Sequence, residues 1–163
     1  MSADNTEKVA LAKLFRKCCV INDMKATDAK GALAELVEAL IKAGIVKKGA
    51  KKKLVDSLAE RESQGSTGIG SGAAVPHIAF EGIKGLVGAI GRSADGIDFK
   101  CVTGEKVRVF FLVLYHPDSQ SGRRMALGRI LELSRETNFI KFIKAAERTK
   151  EITDLLDEVD SEA

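Results

Sequence analysis

One of the chain's two histidines, His77, closes the glycine-rich sequence RESQGSTGIGSGAAVPH, which begins at Arg61. An unperturbed imidazole titrates near pH ~6.5, so an appreciable fraction of the ring is uncharged near neutrality. The uncharged ring carries a nucleophilic nitrogen, which can accept a phosphoryl group. We therefore expect His77 to be the reactive residue, in preference to a histidine that only packs at a strand end.

The segment 65–72 contains four glycines in eight residues. Such a density lets the backbone turn sharply and bring its N–H donors close to a bound group. Ser66, Thr67, Gly68 and Gly70 are therefore candidate phosphate ligands. The segment is not a Walker loop, because no Lys-Ser or Lys-Thr pair follows its last glycine, and it lacks the GxGxxG pattern. Glycine-rich loops are most often simple turns, so the hypothesis depends on the Val-Pro-His sequence that follows.

Phosphoryl transfer to an imidazole needs an in-line approach and positive charge around the moving oxygens. Arg61 could supply that charge through its fork of N–H donors. The helix dipole alone also favours a basic residue at a helix C-terminus, where we place Arg61. Pro76 would fix the backbone angle just before the nucleophile.

The GSTGIG sequence, the spacer of small residues and the Pro-His pair together resemble the active-site segment of one bacterial family. These are the fructose, mannitol and nitrogen-regulatory enzyme IIA proteins of the phosphoenolpyruvate-dependent phosphotransferase system. The nitrogen-regulatory branch looks closest, because no sugar-permease domain is attached and Arg61 precedes the glycine segment. The resemblance covers about 26–158 in pattern and is specific over 61–77.

The resemblance implies a phosphocarrier with the enzyme IIA fold. His77 would receive its phosphoryl group from a phosphorylated histidine-carrier protein. It would then pass the group to a downstream sugar-specific component, or hold it as a regulatory mark on a protein that controls a partner. No cofactor and no metal are implied.

Family members usually place a second active-site histidine at the start of the helix after the central strand, in a His-Leu-x-x-Leu pattern. This chain reads SGRRMALGRIL there, so Arg123 occupies the histidine position and Arg124 replaces the leucine. Arg123 is a candidate for supplying the missing positive charge, and His116 is a candidate for reaching the pocket from a displaced register. The plainer alternatives are surface arginines and an ordinary loop histidine.

These departures keep two other functions open. A divergent member could serve as an interaction module that controls a partner by contact, without relaying phosphate. A nucleotide-binding domain that uses the glycine segment for a phosphate is the least favoured hypothesis, because no metal-binding or base-recognition motif accompanies it.

The elements that position these residues follow from hydrophobic periodicity. Apolar spacings of three and four predict a buried helix over 28–43, capped by Thr27 and stopped by Gly44. The β-branched and aromatic run VRVFFLVLY predicts a buried central strand over 107–115. Further helices are expected over 7–17, 51–61, 125–133, 139–143 and 152–159, and further strands over 18–22, 86–90 and 97–99. The class is α/β (α+β), with a mixed sheet flanked by helices.

The chain of 163 residues, 45% hydrophobic, suits a single domain over 1–163, with residues 1–6 disordered. It has no apolar run long enough to cross a bilayer and no secretory signal at its start, so we expect a cytoplasmic protein without membrane insertion. A net charge of +3 is too small to indicate nucleic-acid binding.

Two local features have mainly structural explanations. The lysine cluster over 47–53 is most simply a solvated helix start, and docking of an acidic partner is the alternative. Cys18, Cys19 and Cys101 include no CxxC pair, so we expect buried thiols rather than a disulfide framework or a zinc site.

Overall fold

The computed structural model describes residues 9–101, 103–136 and 138–162, so the disorder expected for residues 1–6 lies outside the described residues. The helices are α1 (Leu11–Leu14), α2 (Ala29–Lys42), α3 (Lys51–Gln64), α4 (Gln120–Ser134), α5 (Phe139–Ala145) and α6 (Thr149–Ser161), with 3-10 turns at Lys17–Cys19 and Lys48–Ala50. The strands are β1 (Val20–Ile21), β2 (Gly68–Gly70), β3 (Ala73–Ala74), β4 (His77–Ala79), β5 (Leu86–Ile97) and β6 (Val107–Tyr115).

The described strands form one mixed sheet in the order β1-β5-β6-β3-β2, and β4 also pairs with β6. The central pair, β5 and β6, is antiparallel, whereas β1 is parallel to β5. Both β3 and β4 run parallel to β6, and they pair with its first and second halves respectively. The mixed sheet with flanking helices confirms the expected fold class.

Strand β6 is buried on both faces, as its apolar run predicts, and its side chains alternate between two cores. Val109, Phe111 and Val113 pack with apolar residues of α1, α4, α5 and α6. Phe110, Leu112 and Leu114 pack with α2 and α3 on the opposite face. Since each fully buried side chain of this size contributes ~1.5–3 kcal/mol, β6 is the main anchor of the fold.

Several element boundaries differ from the prediction. Asp28, not Thr27, caps α2, because its carboxylate accepts a hydrogen bond of 2.7 Å from the Gly31 amide. Gly44 does end the helix, with φ of +75°. Helix α3 continues three residues beyond Arg61, to Gln64, because no helix breaker precedes Gly65.

The prediction of a separate strand over 97–99 is wrong, because β5 continues from Leu86 through an irregularity to Ile97. The strand expected over 18–22 shrinks to Val20–Ile21, and the weak helix over 7–17 shrinks to Leu11–Leu14. Strands β2, β3 and β4 were not predicted.

The prediction of buried thiols holds only in part: Cys19 is buried, Cys101 is partly exposed and Cys18 is exposed. None of the described helices is long and apolar enough to cross a membrane. Among the described residues, no cluster of three or more metal-ligating side chains occurs.

The first and last helices are joined by one carboxylate. Asp160 of α6 accepts hydrogen bonds of 2.9 Å from the backbone amides of Leu11 and Ala12, which are the first two residues of α1. These amides have no partner within their own helix, so Asp160 satisfies them from α6.

Candidate active site

His77 is positioned by β4, of which it is the first residue. It pairs in register with Val113 of β6, and the Val113 amide donates a 3.0 Å hydrogen bond to the Pro76 carbonyl. Residues in register on paired strands point to the same face of a sheet. The His77 side chain, which is partly buried, therefore lies on the α4 side of β6, as Val113 does.

The ring of His77 is oriented by the backbone two residues earlier. Its Nδ1 lies 2.7 Å from the carbonyl oxygen of Val75. A carbonyl oxygen only accepts hydrogen bonds, so Nδ1 must carry the proton and donate it. In the neutral ring this leaves the lone pair on Nε2, which is the nucleophilic nitrogen.

The surroundings of His77 keep the ring neutral. Burial lowers the pKa of His77 below its ordinary value of 6.5, and the positive charges of Arg61 and Arg123 lower it further. The hydrogen bond to the Val75 carbonyl acts in the opposite direction. Since the net shift is downward, the imidazole is uncharged near neutrality and its nucleophilic nitrogen is available.

Arg61 reaches the site from the last turn of α3, where the sequence placed it. Its Nη1 donates a 2.9 Å hydrogen bond to the Gly65 carbonyl, which orients the guanidinium at the end of the helix. Helix α3 contacts β4, and the charge of Arg61 acts on His77. The structure therefore brings together the two residues that the sequence singled out first.

Arg123 reaches the site from the first turn of α4, and its charge also acts on His77. Its guanidinium carbon lies 5.3 Å from the centroid of the Tyr115 ring, and Nη1 donates a 3.4 Å hydrogen bond to Gln120 Oε1. Tyr115 pairs in register with Ala79 of β4, so it shares a face with His77 two residues earlier. Arg123 is thus held on the same face as the proposed nucleophile.

His116 has contacts of a different kind. Its Nδ1 accepts a 3.1 Å hydrogen bond from the Asp118 amide and lies 3.6 Å from the Asp118 carboxylate. Its own amide donates to the Gly85 carbonyl at 2.8 Å. These contacts hold His116 within the loop between β6 and α4, whereas the charges that act on His77 are those of the two arginines.

The glycine segment forms a hairpin of β2 and β3 whose start is fixed by Glu62. The Glu62 carboxylate accepts hydrogen bonds from the Thr67 amide, at 3.0 Å, and from the Thr67 hydroxyl. Burial raises the pKa of Glu62, against the effect of these bonds. The Gly68 amide donates to Ser66 Oγ at 3.0 Å, so two of the amides expected to bind phosphate already have partners.

The same hairpin supports the residue that orients His77. The Val75 amide donates a 3.0 Å hydrogen bond to the Thr67 carbonyl, while the Val75 carbonyl accepts from His77. Gly68 packs against Cys101 so closely that an added Cβ would lie 2.6 Å from the Cys101 sulfur. The hairpin therefore positions the His77 ring through Val75.

A family described as "Phosphoenolpyruvate-dependent sugar phosphotransferase system, EIIA 2" matches residues 13–159 of this chain. The chain belongs to this EIIA family.

The relatives of this chain include both a sugar-specific EIIA protein and a nitrogen regulatory protein. The chain is 27% identical over 150 residues to the "PTS system fructose-specific EIIABC component" of Bacillus subtilis, covering 92% of this chain but only 23% of that protein's length. It is 28% identical over 137 residues to a "Nitrogen regulatory protein" of Bradyrhizobium diazoefficiens, covering 84% of this chain and 88% of that one.

Solved EIIA structures confirm the fold. The nitrogen regulatory protein IIA-Ntr from Neisseria meningitidis superposes with a TM-score of 0.80 at 20% identity, covering 91% of this chain and 99% of that one. The mannitol enzyme IIA from Escherichia coli, solved in complex with phosphorylated mannitol enzyme IIB, gives a TM-score of 0.69 at 18% identity, covering 86% and 95%.

Three contributors to this EIIA site were missed by the sequence reasoning: Glu62, Tyr115 and the Val75 carbonyl. The aromatic residue at the end of the central strand was visible as a pattern, although nothing linked it to Arg123. Glu62 gave no signal, and the Val-Pro-His sequence pointed to His77 without indicating that the Val75 carbonyl binds its ring.

Proposed function

We propose that this EIIA domain is a phosphocarrier that accepts a phosphoryl group on Nε2 of His77. The observation that carries the proposal is the hydrogen bond from His77 Nδ1 to the Val75 carbonyl, which leaves Nε2 unprotonated. A neutral, oriented imidazole between two arginines has the nucleophile and the positive charge that phosphoryl transfer requires. The alternative of an interaction module that never carries phosphate is not favoured, because it leaves this arrangement without a use.

In the proposed step, the lone pair of His77 Nε2 attacks the phosphorus of a phosphohistidine on the donor protein. The donor's N–P bond breaks as the new N–P bond forms, and the bonding pair stays on the donor nitrogen. A donor ring that is protonated on its other nitrogen leaves as neutral imidazole. The His77 ring becomes a phosphoimidazolium, whose Nδ1 proton is held by the Val75 carbonyl.

Arg61 and Arg123 bind the phosphoryl oxygens in this proposal. A hydrogen bond between charged groups contributes ~1.5–3 kcal/mol, so each arginine can change the rate by one to two orders of magnitude. Among the glycine-segment residues, Ser66 accepts a hydrogen bond from the Gly68 amide and donates none within the described residues, so its hydroxyl proton is available to a phosphoryl oxygen. Gly68 and Gly70 line the same small cavity as Ser66, and the amide and hydroxyl of Thr67 are bound to Glu62.

We propose a phosphorylated histidine-carrier protein as the donor. The acceptor is a downstream sugar-specific component or a regulated protein, by analogy with the mannitol enzyme IIA solved with its phosphorylated IIB partner. The relatives include both a fructose EIIABC protein and a nitrogen regulatory protein, so both kinds of acceptor belong to the proposal. Such a relay operates in the cytoplasm, and the match over 13–159 supports a single domain.

Intact-protein mass spectrometry after incubation with phosphoenolpyruvate, enzyme I and a cognate histidine carrier tests the proposal. We expect one acid-labile phosphoryl adduct on the wild type and none on His77→Ala. Nuclear magnetic resonance of the ¹⁵N-labelled adduct should place phosphorus on Nε2. If a donor of proven activity gives no adduct, or if the adduct survives in His77→Ala, the proposal is wrong.

A further inference from the structure

Arg123 carries an unsatisfied hydrogen-bond donor. Its Nε is buried and has no hydrogen-bond partner among the described residues, whereas Nη1 donates only a long 3.4 Å bond to Gln120. Buried donors are nearly always paired in folded proteins, so an unpaired one calls for a functional explanation. The missing partner must be an acceptor, since every guanidinium nitrogen is a donor.

The position of Arg123 shows where such an acceptor would lie. The guanidinium is held over the Tyr115 ring at 5.3 Å, and Tyr115 is in register with Ala79 of β4. His77 lies on the same face, two residues before Ala79. With Nδ1 of His77 bonded to Val75, the remaining reactive atom on this face is Nε2, and a phosphoryl group attached there would place its oxygens beside the arginine.

We propose that Arg123 stabilises the phosphorylated form of His77 and thereby makes this domain retain its phosphoryl group instead of releasing it readily. This inference rests on the proposed function. Without phosphate, two permanently charged arginines face a neutral imidazole. A phosphoryl group brings about two negative charges, which balance both arginines and give the unpaired Nε an acceptor.

The direction of the effect follows from the transition state. In phosphoryl transfer the moving group resembles metaphosphate and carries less negative charge than the bound phosphoryl group. An arginine therefore stabilises the transition state relative to the unphosphorylated domain, which speeds uptake, but it stabilises the phosphohistidine more, so departure slows. The same holds for hydrolysis, in which water attacks phosphorus, the bonding pair returns to Nε2 and inorganic phosphate leaves.

The test measures the equilibrium and the lifetime of the phosphohistidine in Arg123 variants. Each protein is equilibrated with the phosphorylated histidine carrier, and the phosphoryl distribution is read by intact mass. The phosphorylated domain is then isolated, and its decay is followed by ³¹P resonance. Because a charge-assisted hydrogen bond is worth roughly a factor of ten or more, Arg123→Gln should shift the equilibrium towards the carrier and shorten the half-life by about tenfold. Arg124→Gln, which removes the same charge from an exposed neighbour, should change both by less than about twofold.

Arg123→Lys separates phosphate binding from a purely structural role. Lysine keeps the charge and can still stack on Tyr115, but it lacks the forked donors, so its half-life should fall between those of the wild type and Arg123→Gln. If Arg123→Gln fails to fold, a half-life of Arg123→Lys at least threefold shorter than that of the wild type supports the inference. If neither variant changes the equilibrium or the half-life, the inference is overturned and Arg123 is no phosphate ligand, while the proposed role of His77 as phosphoryl acceptor stands. If the wild type takes up no phosphoryl group, it is the proposed function that fails.

Discussion

The two histidines of the chain, His77 and His116, are held by the backbone in opposite ways. The Nδ1 of His77 donates to a carbonyl, that of Val75, whereas the Nδ1 of His116 accepts from an amide, that of Asp118. The first contact leaves Nε2 unprotonated, and the second requires the proton of the neutral ring to be on Nε2. His77 also faces two arginines, while His116 has a carboxylate 3.6 Å from its ring.

A histidine thus becomes a nucleophile through the hydrogen bond that its ring makes with the neighbouring backbone, as much as through its own pKa. A phosphoryl donor that approached the Nε2 of His116 would meet a proton and not a lone pair. The adjacent carboxylate of Asp118 would in addition repel the incoming phosphoryl group. The difference between these sites can be tested by changing each contact in turn.

The largest effect should come from replacing each of the two histidines separately. His77→Gln should lose all phosphoryl uptake, because it removes the only ring whose Nε2 is both unprotonated and flanked by cations. His116→Gln should change the rate of uptake by less than about twofold, since only a loop contact is lost. Quench-flow with intact-mass detection measures both rates, and a loss of uptake in His116→Gln alone would reverse the assignment.

Removing the charge of Arg61 should have the next largest effect. Arg61→Gln should slow phosphoryl uptake by about 10–100-fold, because one charge-assisted hydrogen bond to the transferred group is lost. Lys53→Gln is the matched control, since Lys53 is exposed at the opposite end of the same helix. Equal rates for Arg61→Gln and Lys53→Gln would show that Arg61 only caps the helix end.

The hairpin that supports Val75 should tolerate little change in volume. Gly68→Ala places a Cβ 2.6 Å from the Cys101 sulfur, so we expect a loss of ~1–3 kcal/mol in the free energy of unfolding. Gly128→Ala, whose added Cβ would meet no atom within 4 Å beyond its own stretch of helix, should cause no loss. Denaturant titration measures both, and the double variant Gly68→Ala with Cys101→Ala should recover part of the loss. If the free energy of unfolding of Gly68→Ala equals that of the wild type, the Cys101 side chain moves enough to relieve the contact.

The smallest effect concerns pH. Because burial and the two arginines lower the pKa of His77 below 6.5, the unfolded chain binds this proton more readily than the folded one. Relative to His77→Gln, the wild type should therefore lose stability as the pH falls below about 6.5, and above that pH the difference between the two proteins should not change with pH. The imidazole resonances should also show that the pKa of His77 rises in Arg61→Gln, and a His77 pKa above 6.5 in the wild type would contradict the assigned surroundings.

The sequence predicted the elements whose signal is local. Eight of the nine residues of strand β6 are β-branched, aromatic or leucine, and α2 has a clear apolar stripe. Strands β2, β3 and β4 have only two or three residues each, so no alternation could be read from them. They exist because they pair with one another or with β6, and such pairing between distant segments leaves no local pattern.

The site was predicted to the level of residue types and no further. The Pro-His pair and the glycine segment identified His77, and resemblance to a family identified the position of Arg123. Which nitrogen of His77 is free depends on the Val75 carbonyl, a group that every residue possesses. The capture of Thr67 by Glu62 likewise depends on how α3 ends, and this was predicted three residues too early.

The Asp160 contact has a consequence for the order of folding. It joins residues up to 149 positions apart, so it closes nearly the longest loop that this chain can form. Contacts of such separation are entropically expensive, and they are made after local elements have formed. Docking of α1 onto α6 should therefore be a late event, and a ribosome-bound chain that still lacks Asp160 would expose two unpaired amides at the start of its first helix.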